Sequence, residues 1–574
     1  MQENGSYFCI QANKKTGRTY LSIVESYYDK DAKKSRSKTI ESLGFLDVLE
    51  KEYSNPIAHF TKLVEKMKLE AIKESSYIQL DLNPKRKLSI GTNKRKNFGY
   101  AAFSSIYHTL EIDKFLINRQ RSTKIEANIN HIMKLLVNSR LLEPGSKKQA
   151  FDNREMFFEK TNYSLDDVYR ALSFFNEKSN ELQLWMNDRI RENYSRDTSL
   201  VYYDVTNYYF ESDKEDEFRR NGVSKEHRPN PIVQMGLFMD TNGIPITYDL
   251  YAGNTNDCLT YRPTFSRMKK EFDLGKVIVV ADKGMNTGDN MNYTLSANDV
   301  FVFSQTARGA NKELKDFIKS EDGYEWYEVD YKWKERLYPS EIWITTTSGK
   351  KIKKTIDVKQ VVFYSEKYAK KARHERAKAL EKAKKLIKSP SSYNRSTSHG
   401  AAGYVKNLTF VKETGEIADA SALVLDEEKI RDQEALDGYY VLVTSEYEKT
   451  ASEIIEIYRG LWKIEESFKV TKSDLETRPV FVSTEEHIKA HFLTCFIALV
   501  IARILEYKLE GKHSITKIIN SLKKCSCTNI DQNYYLFDYY DEVLHDIETA
   551  VNVDFSTKIR TLQQIKKNIS KTKK

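Results

Sequence analysis

Residues Ser199 to Phe210 read Ser-Leu-Val-Tyr-Tyr-Asp-Val-Thr-Asn-Tyr-Tyr-Phe, a mostly apolar and aromatic run with one acid, Asp204, inside it. A run of this kind, lacking the alternation of a sheet face open to water, predicts a central strand. Burial excludes a charge unless it is paired or bound to a cation, so Asp204 requires a partner. Hydrogen bonds from Thr206 or a neighbouring backbone group would satisfy it without any chemistry. One carboxylate leaves the question open.

Working outward, Ile232 to Met239 and Ile246 to Tyr251 read as two further strands across the turn Asp240-Thr241-Asn242-Gly243, which predicts a three-strand meander. The run Lys276 to Ala281 supplies a fourth strand, and Asp282 follows it two residues before Gly284. That is the carboxyl end of a buried strand, where α/β folds place ligands; an Asp that merely starts a turn beside Gly has the same look. The apolar spacing then becomes helical from Ser452 to Lys472 and again from Glu485 to Leu509. At about 100° per residue, Ile454, Tyr458, Leu461 and Trp462 fall on one stripe with Glu465 in its middle, while Glu466 lies toward the polar edge. Lys472 shares the face of Glu465 but is too far along the helix to pair with it directly, so a shared ligand explains both.

Three inward carboxylates suit Mg2+, with Mn2+ as a substitute, because these ions prefer oxygen ligands and accept phosphate oxygens in the remaining positions. Two such ions about 4 Å apart activate an attacking water or hydroxyl and stabilise the departing oxygen of a phosphoryl displacement. Lys472 would then hold a phosphate.

At these residues the chain resembles insertion-sequence transposases of the DDE type, in the group marked by a tyrosine, arginine, glutamate and lysine signature on the last catalytic helix. The block reads Tyr458-Arg459-Gly460-Leu461-Trp462-Lys463-Ile464-Glu465-Glu466-Ser467-Phe468, with Lys472 at the family spacing. Asp204-Val205-Thr206, Gly253-Asn254-Thr255, Asp282-Lys283-Gly284 and Asp437-Gly438 are similar to that family's other blocks, in the same order. The likeness spans about Ser199 to Glu506 and is weaker in Tyr7 to Leu46 and Leu142 to Ser146. In one respect the chain departs: Leu461 occupies the usual arginine position, three residues after the tyrosine, and Arg459 stands beside the tyrosine on the polar side of the helix.

The resemblance implies an α/β fold with a ribonuclease H-like core, a mixed sheet flanked by helices, interrupted by a β-rich insertion before the last catalytic helix. It implies Asp204, Asp282 and Glu465 as catalytic metal ligands, supported at the DNA by Tyr458, Lys472, Arg459, Thr206 and Asn254. Double-stranded DNA, as transposon ends and as target, is the implied partner. Water attacks at the transposon end, the freed 3′ hydroxyl attacks the target, and pairing of two ends calls for a homodimer. Some members of the family pass through a DNA hairpin aided by an aromatic of the insertion, for which Trp326, Trp333 and Trp343 qualify by location or else are packing residues. The expected divisions are an N-terminal β-meander module (residues 1–50), a helical DNA-binding or packing domain (51–195), the first part of the core (196–310), the insertion with a charged helix (311–449), the last part of the core (450–525) and a helical basic tail (526–574). Two competing readings keep parts of this: a ribonuclease H-like DNA nuclease that never joins strands, and a non-catalytic DNA-binding protein from a decayed element.

Bulk properties agree without deciding. The 92 Lys and Arg against 82 Asp and Glu leave +10, a modest excess that favours a polyanion. Five scattered cysteines, Cys9, Cys258, Cys495, Cys525 and Cys527, do not read as a disulfide framework, and a reducing, cytoplasmic setting is expected. Cys525 and Cys527 lack a second pair at zinc-site spacing, and His487 with His491 lacks the glutamate of a zinc protease helix. No membrane span is expected: the apolar stretch Phe492 to Ala502 ends at Arg503, short of the ~20 residues a span needs, and reads as a buried helix. Neither a Walker loop nor a dinucleotide fingerprint occurs.

Overall fold

A computed structural model describes residues 5–12, 18–29, 34–75, 85, 87, 89–226, 228–328, 331–388, 400–410, 417–531 and 533–573. The chain divides into two compact units, residues 1–93 and 94–574. In the first, strands Gly5–Ala12, Thr19–Asp29 and Lys34–Phe45 form an antiparallel meander followed by the helix Pro56–Ser75. Leu21, Leu49 and Phe60 make its small core. Part of the basic stretch Asn83 to Lys96 lies outside the described residues.

The second unit is organised by a nine-stranded sheet. Five strands form its centre: β1 (Leu200–Tyr209), β2 (Ile232–Met239), β3 (Pro245–Ala252), β4 (Ile278–Ala281) and β5 (Val300–Gln305). Their spatial order is 3-2-1-4-5. The first three are antiparallel neighbours, while β4 pairs parallel to β1 and β5 parallel to β4. This is the mixed sheet of a ribonuclease H-like core. The short Asp240–Gly243 turn permits the antiparallel step, whereas the parallel step needs the crossover helix α1 (Asp257–Glu271).

Both faces of the sheet are covered. Tyr203 and Val205 point toward α1, where Tyr203 packs on Tyr261, with α2 (Gly288–Ser296) alongside. The alternate residues Tyr202 and Tyr208 point the other way, into the larger core. There lies the helix Glu485–Lys508, numbered α6 below; among the described residues only this one is long and apolar enough to cross a membrane, yet 94% of its apolar window is buried inside the protein. Every residue from Ala490 to Leu505 is buried, packed by β3 and by the helices Ile129–Leu142 and Leu165–Glu177. A helix apolar all round belongs at the centre of a large core.

Several expectations are corrected. The interval 311–449 is β-rich but only partly separate from the core: Val405–Phe410 and Ile417–Leu425 pair as a two-stranded sheet, whereas β6 (Glu325–Glu328), β7 (Tyr331–Thr345) and β8 (Lys351–Ser365) extend the central sheet, joined to β5 through β9 (Tyr439–Thr444). An unpaired edge on β5 would leave buried N–H and C=O groups, and β9 satisfies them. The charged helix, α3 (Glu366–Lys388), follows β8 directly. The expected helical tail does hold two helices, Glu542–Val551 and Leu562–Lys571, but it also contributes strands Ser526–Asp531, Tyr534–Phe537 and Ile559–Thr561 to a four-stranded sheet closed by Arg95–Asn97. Buried Cys527, Tyr535 and Phe537 face Phe98 there, a period-two pattern too short to read from the sequence.

The span Ser452 to Lys472 is two helices, α4 (Ala451–Arg459) and α5 (Trp462–Ser473). Between them Leu461 N bonds Tyr458 O and Lys463 N bonds Gly460 O, three residues back rather than four. Such a turn advances about 120° per residue, so a projection at 100° fails beyond it. Trp462 consequently faces solvent, 55% exposed, and leaves the inward stripe.

Arg503 of α6 fixes α5 from behind: its Nε donates to Ser467 Oγ (2.9 Å), one terminal nitrogen to Lys463 O (3.1 Å), the other to Glu466 (3.1 Å) and Glu506 (2.6 Å). This guanidinium is 5% exposed, so its removal strands buried acceptors. Arg503→Met is expected to lower unfolding free energy by about 3–5 kcal/mol, read by urea unfolding at neutral pH; a loss under about 1 kcal/mol would show the contact to be dispensable.

Candidate active site

β1 and β4 pair in parallel with Tyr203 opposite Ala281, so the next residues, Asp204 and Asp282, leave adjacent strands side by side. Neighbouring strands lie about 4.8 Å apart. Asp282 has left the strand to start a short turn, the ligand-bearing end of a parallel strand. Tyr202, Asp204, Thr206 and Tyr208 alternate onto the β1 face that α5 covers, and Tyr208 Oη meets Thr471 Oγ1 of α5 at 2.8 Å. Glu465, in the first turn of α5, acts electrostatically on both Asp204 and Tyr458. Three like charges thus converge at one end of the sheet.

Glu465 is exposed rather than buried, a correction to the inward stripe, while Glu466 is held on the opposite side by Arg503. What distinguishes the two acids is their partners: Glu465 acts on Asp204 and Tyr458, Glu466 pairs with Arg503. Gly460 sets the approach of α5: a Cβ there would lie 1.8 Å from the buried Tyr202 hydroxyl. Only glycine lets the α4–α5 junction rest on β1.

Burial pushes the Asp204 carboxyl up to about 6, reinforced by repulsion from Asp282 and Glu465 and opposed by Lys225 and the Val205 amide. Asp282 Oδ1 accepts a hydrogen bond from Ser304 Oγ (2.8 Å) and a longer one from Tyr458 Oη (3.4 Å). Burial pushes the Tyr458 hydroxyl up, so it remains a donor. Lys472 Nζ lies over the Tyr208 ring and pairs with Glu226 at 3.2 Å. Burial, then Lys225, lower the Lys472 ammonium to about 8 against the pull of Asp204.

The remaining sequence-predicted residues divide. Thr206 is buried on the Asp204 face; Asn254 is exposed in the turn after β3, where Gly253 packs on the backbone of Arg220 and Ile232. Arg459 stands apart from the acids, pairing with Glu456 and covering the Tyr331 ring. Trp326 and Trp343 are 58% exposed on the extended hairpin, and Trp333 packs on Tyr331. His491 is buried between Lys147 and Thr477 O, a packing role. Sequence reasoning missed Ser304, Lys225, Glu226 and Arg478. Ser304 had a signal: it ends the apolar run Val300 to Phe303 as Asp282 ends its own.

Beside Asp282 opens a cavity of about 340 Å³, walled by Tyr368, Tyr439, Tyr440 and Tyr458 with Arg308 and Lys371. Among the described residues no three His, Cys, Asp or Glu side chains stand close enough to grip an ion as they are. The donor set nevertheless fits a divalent cation: three acidic oxygen donors share one sheet end, and their repulsion at Asp204 is only partly countered by Lys225, the Val205 amide and Lys472.

The family model described as the transposase DDE domain matches residues 196–501, more than half of the sequence. The chain belongs to that family. It is a DNA transposase, and the family works with divalent metal ions. Residues 10–76 match the N-terminal domain of IS1634 family transposases. No curated protein matches the chain. Among solved structures, a piggyBac transposase synaptic complex with hairpin DNA shares 9% identity, covering 83% of this chain and 84% of that one at a TM-score of 0.35. A Mos1 transposase paired-end complex with the left transposon end shares 13% identity over 42% of this chain and 66% of that one, at a TM-score of 0.14. Likenesses this loose add nothing to the strand order already described.

Because the folded-state carboxyl of Asp204 lies above its ordinary range, the transposase is favoured with this group protonated. That contribution is present below about pH 4 and is lost as pH rises through 6. Without divalent ions, Asp204→Asn is expected to be more stable than the native chain at pH 8 by on the order of 2 kcal/mol, with the gain vanishing near pH 4. Thermal unfolding at both pH values checks this; equal stability at pH 8 contradicts it.

Proposed function

We propose that this transposase cleaves transposon ends and joins the freed 3′ hydroxyl to target DNA, with Asp204, Asp282 and Glu465 as the catalytic carboxylates. The observation that carries the reading is the parallel register that sets Asp204 beside Asp282, with Glu465 of α5 acting on Asp204 and on Tyr458, the hydroxyl that donates to Asp282. Mg2+, or Mn2+ in its place, held by these three residues would supply Lewis-acid activation of the attacking oxygen and charge stabilisation at the departing one.

The chain's own groups orient the site. Ser304 and Tyr458 donate to Asp282 Oδ1, leaving its second oxygen free for a ligand. Lys472, two turns along α5 from Glu465, holds a phosphate of the bound strand and so fixes the scissile bond over the carboxylates. Thr206 supports Asp204 from its own face, and Asn254 lines the turn beyond β3. Synapsis of two transposon ends requires two such sites, so the working assembly is a dimer on double-stranded DNA.

The test is cleavage and joining of labelled transposon-end DNA in Mg2+ or Mn2+ by the native chain and by Asp204→Asn, Asp282→Asn and Glu465→Gln. Each variant is expected to retain DNA binding and to lose both cleavage and joining. Cleavage without joining by the native chain would make it a nuclease, and a fully active variant would remove that carboxylate from the centre.

A further inference from the structure

The segment between β1 and β2 crosses in front of the sheet end and places Glu226 between two cations. Glu226 Oε1 lies 3.2 Å from Lys472 Nζ, and Oε2 meets the Arg478 guanidinium. Among the described residues neither cation has another ion pair. Each also rests on an aromatic of β1, Lys472 over Tyr208 and Arg478 over Tyr209, both at 5.6 Å. The cations are therefore held by rings that do not depend on Glu226. The neighbouring Lys225 turns the other way, donating to Val205 O and facing Asp204.

We infer that Lys472 and Arg478 form a two-pronged clamp for one DNA phosphate, and that Glu226 occupies the clamp as a stand-in until DNA displaces it. A carboxylate divided oxygen by oxygen between an ammonium and a guanidinium presents the same charge and the same paired acceptors as the non-bridging oxygens of a phosphodiester. Exchange of one for the other keeps both cations paired and leaves the charge of the clamp unchanged. Glu226 sits on an irregular stretch outside helix and strand, held locally by the Ser224 hydroxyl, which accepts from the Glu226 amide (3.3 Å), and by Asn207, which donates to Val223 O (3.0 Å); the carboxylate can therefore leave the two cations by side-chain rotation alone. Arg478 thereby becomes a DNA-positioning residue outside the tyrosine–lysine block, and Glu226 a brake on binding. The inference rests on the proposed role of Lys472 at DNA, and adds the second prong and its occupant.

The experiment is fluorescence anisotropy of a labelled duplex oligonucleotide with the full chain in EDTA, over a series of salt concentrations. Glu226→Gln, which keeps shape and loses charge, is expected to tighten binding about fivefold. Arg478→Gln is expected to weaken it and to reduce the slope of log K against log salt by about one, and to cancel most of the gain from Glu226→Gln when the two are combined. Arg478→Lys should restore part of the slope. Glu510→Gln, an equal change of charge on the far side of α5, controls for net charge. If Glu226→Gln behaves like Glu510→Gln, or binds more weakly while unfolding at the native temperature, the clamp is overturned. If Glu226→Gln unfolds early, the Arg478 variants decide: an unchanged salt slope in Arg478→Gln overturns the clamp alone. Because binding is read without metal, a chain that shows these shifts but never cleaves DNA sinks the catalytic proposal and leaves the clamp standing.

Discussion

Where Leu200–Tyr209 and Ile278–Ala281 pair in parallel, Tyr203 stands opposite Ala281 and the next residue of each strand is an aspartate. A slip of one residue would send one carboxylate to the opposite face of the sheet, because side chains alternate along a strand. The register is secured from both faces. Tyr203 and Val205 are locked into the layer under α1, while Tyr202 and Tyr208 are locked against α4, α5 and α6. Apolar packing on both sides thus fixes the position of two charges that packing alone would reject.

The third acid arrives by a different route. α5 is seated by contacts that involve Glu465 in none of their bonds: the missing Cβ of Gly460 on Tyr202, the Tyr208–Thr471 hydroxyl pair, and the buried Arg503 that gathers Ser467, Lys463 and Glu466. Support from behind leaves the front of the helix open. The arrangement costs stability in the metal-free protein, since burial and mutual repulsion disfavour the ionised Asp204. Such local cost is common where a site must receive charge from a ligand.

Much of this was legible in the sequence for physical reasons that can be named. The unbroken apolar runs around Asp204 and before Asp282 could only be central strands, and the even apolar distribution of Phe492 to Ala502 could only be a buried helix. The stretch from Tyr458 to Glu465 was read correctly as helical but misphased, because a tightened turn at Gly460 and Leu461 leaves no mark on apolar spacing. The strand Tyr439–Thr444 was assigned outside the core, since sequence distance says nothing of which sheet edge a strand completes. Lys225, Glu226 and Arg478 were invisible for the same reason: each acts through a partner distant in sequence or on an irregular segment without periodicity. The C-terminal strands were hidden because they are short and polar, Ser526–Asp531, Tyr534–Phe537 and Ile559–Thr561 each offering too few alternating positions to show a period of two.

The most direct test of the central claim, that Asp204, Asp282 and Glu465 share one metal centre, is to replace the divalent ion with Fe2+ and map backbone cleavage by hydroxyl radicals generated with ascorbate and peroxide. Cuts confined to the chain near residues 204, 282 and 465, and suppressed together by excess Mg2+, are the result the account predicts. Cuts at only one or two of these segments, or clustered elsewhere, would contradict it.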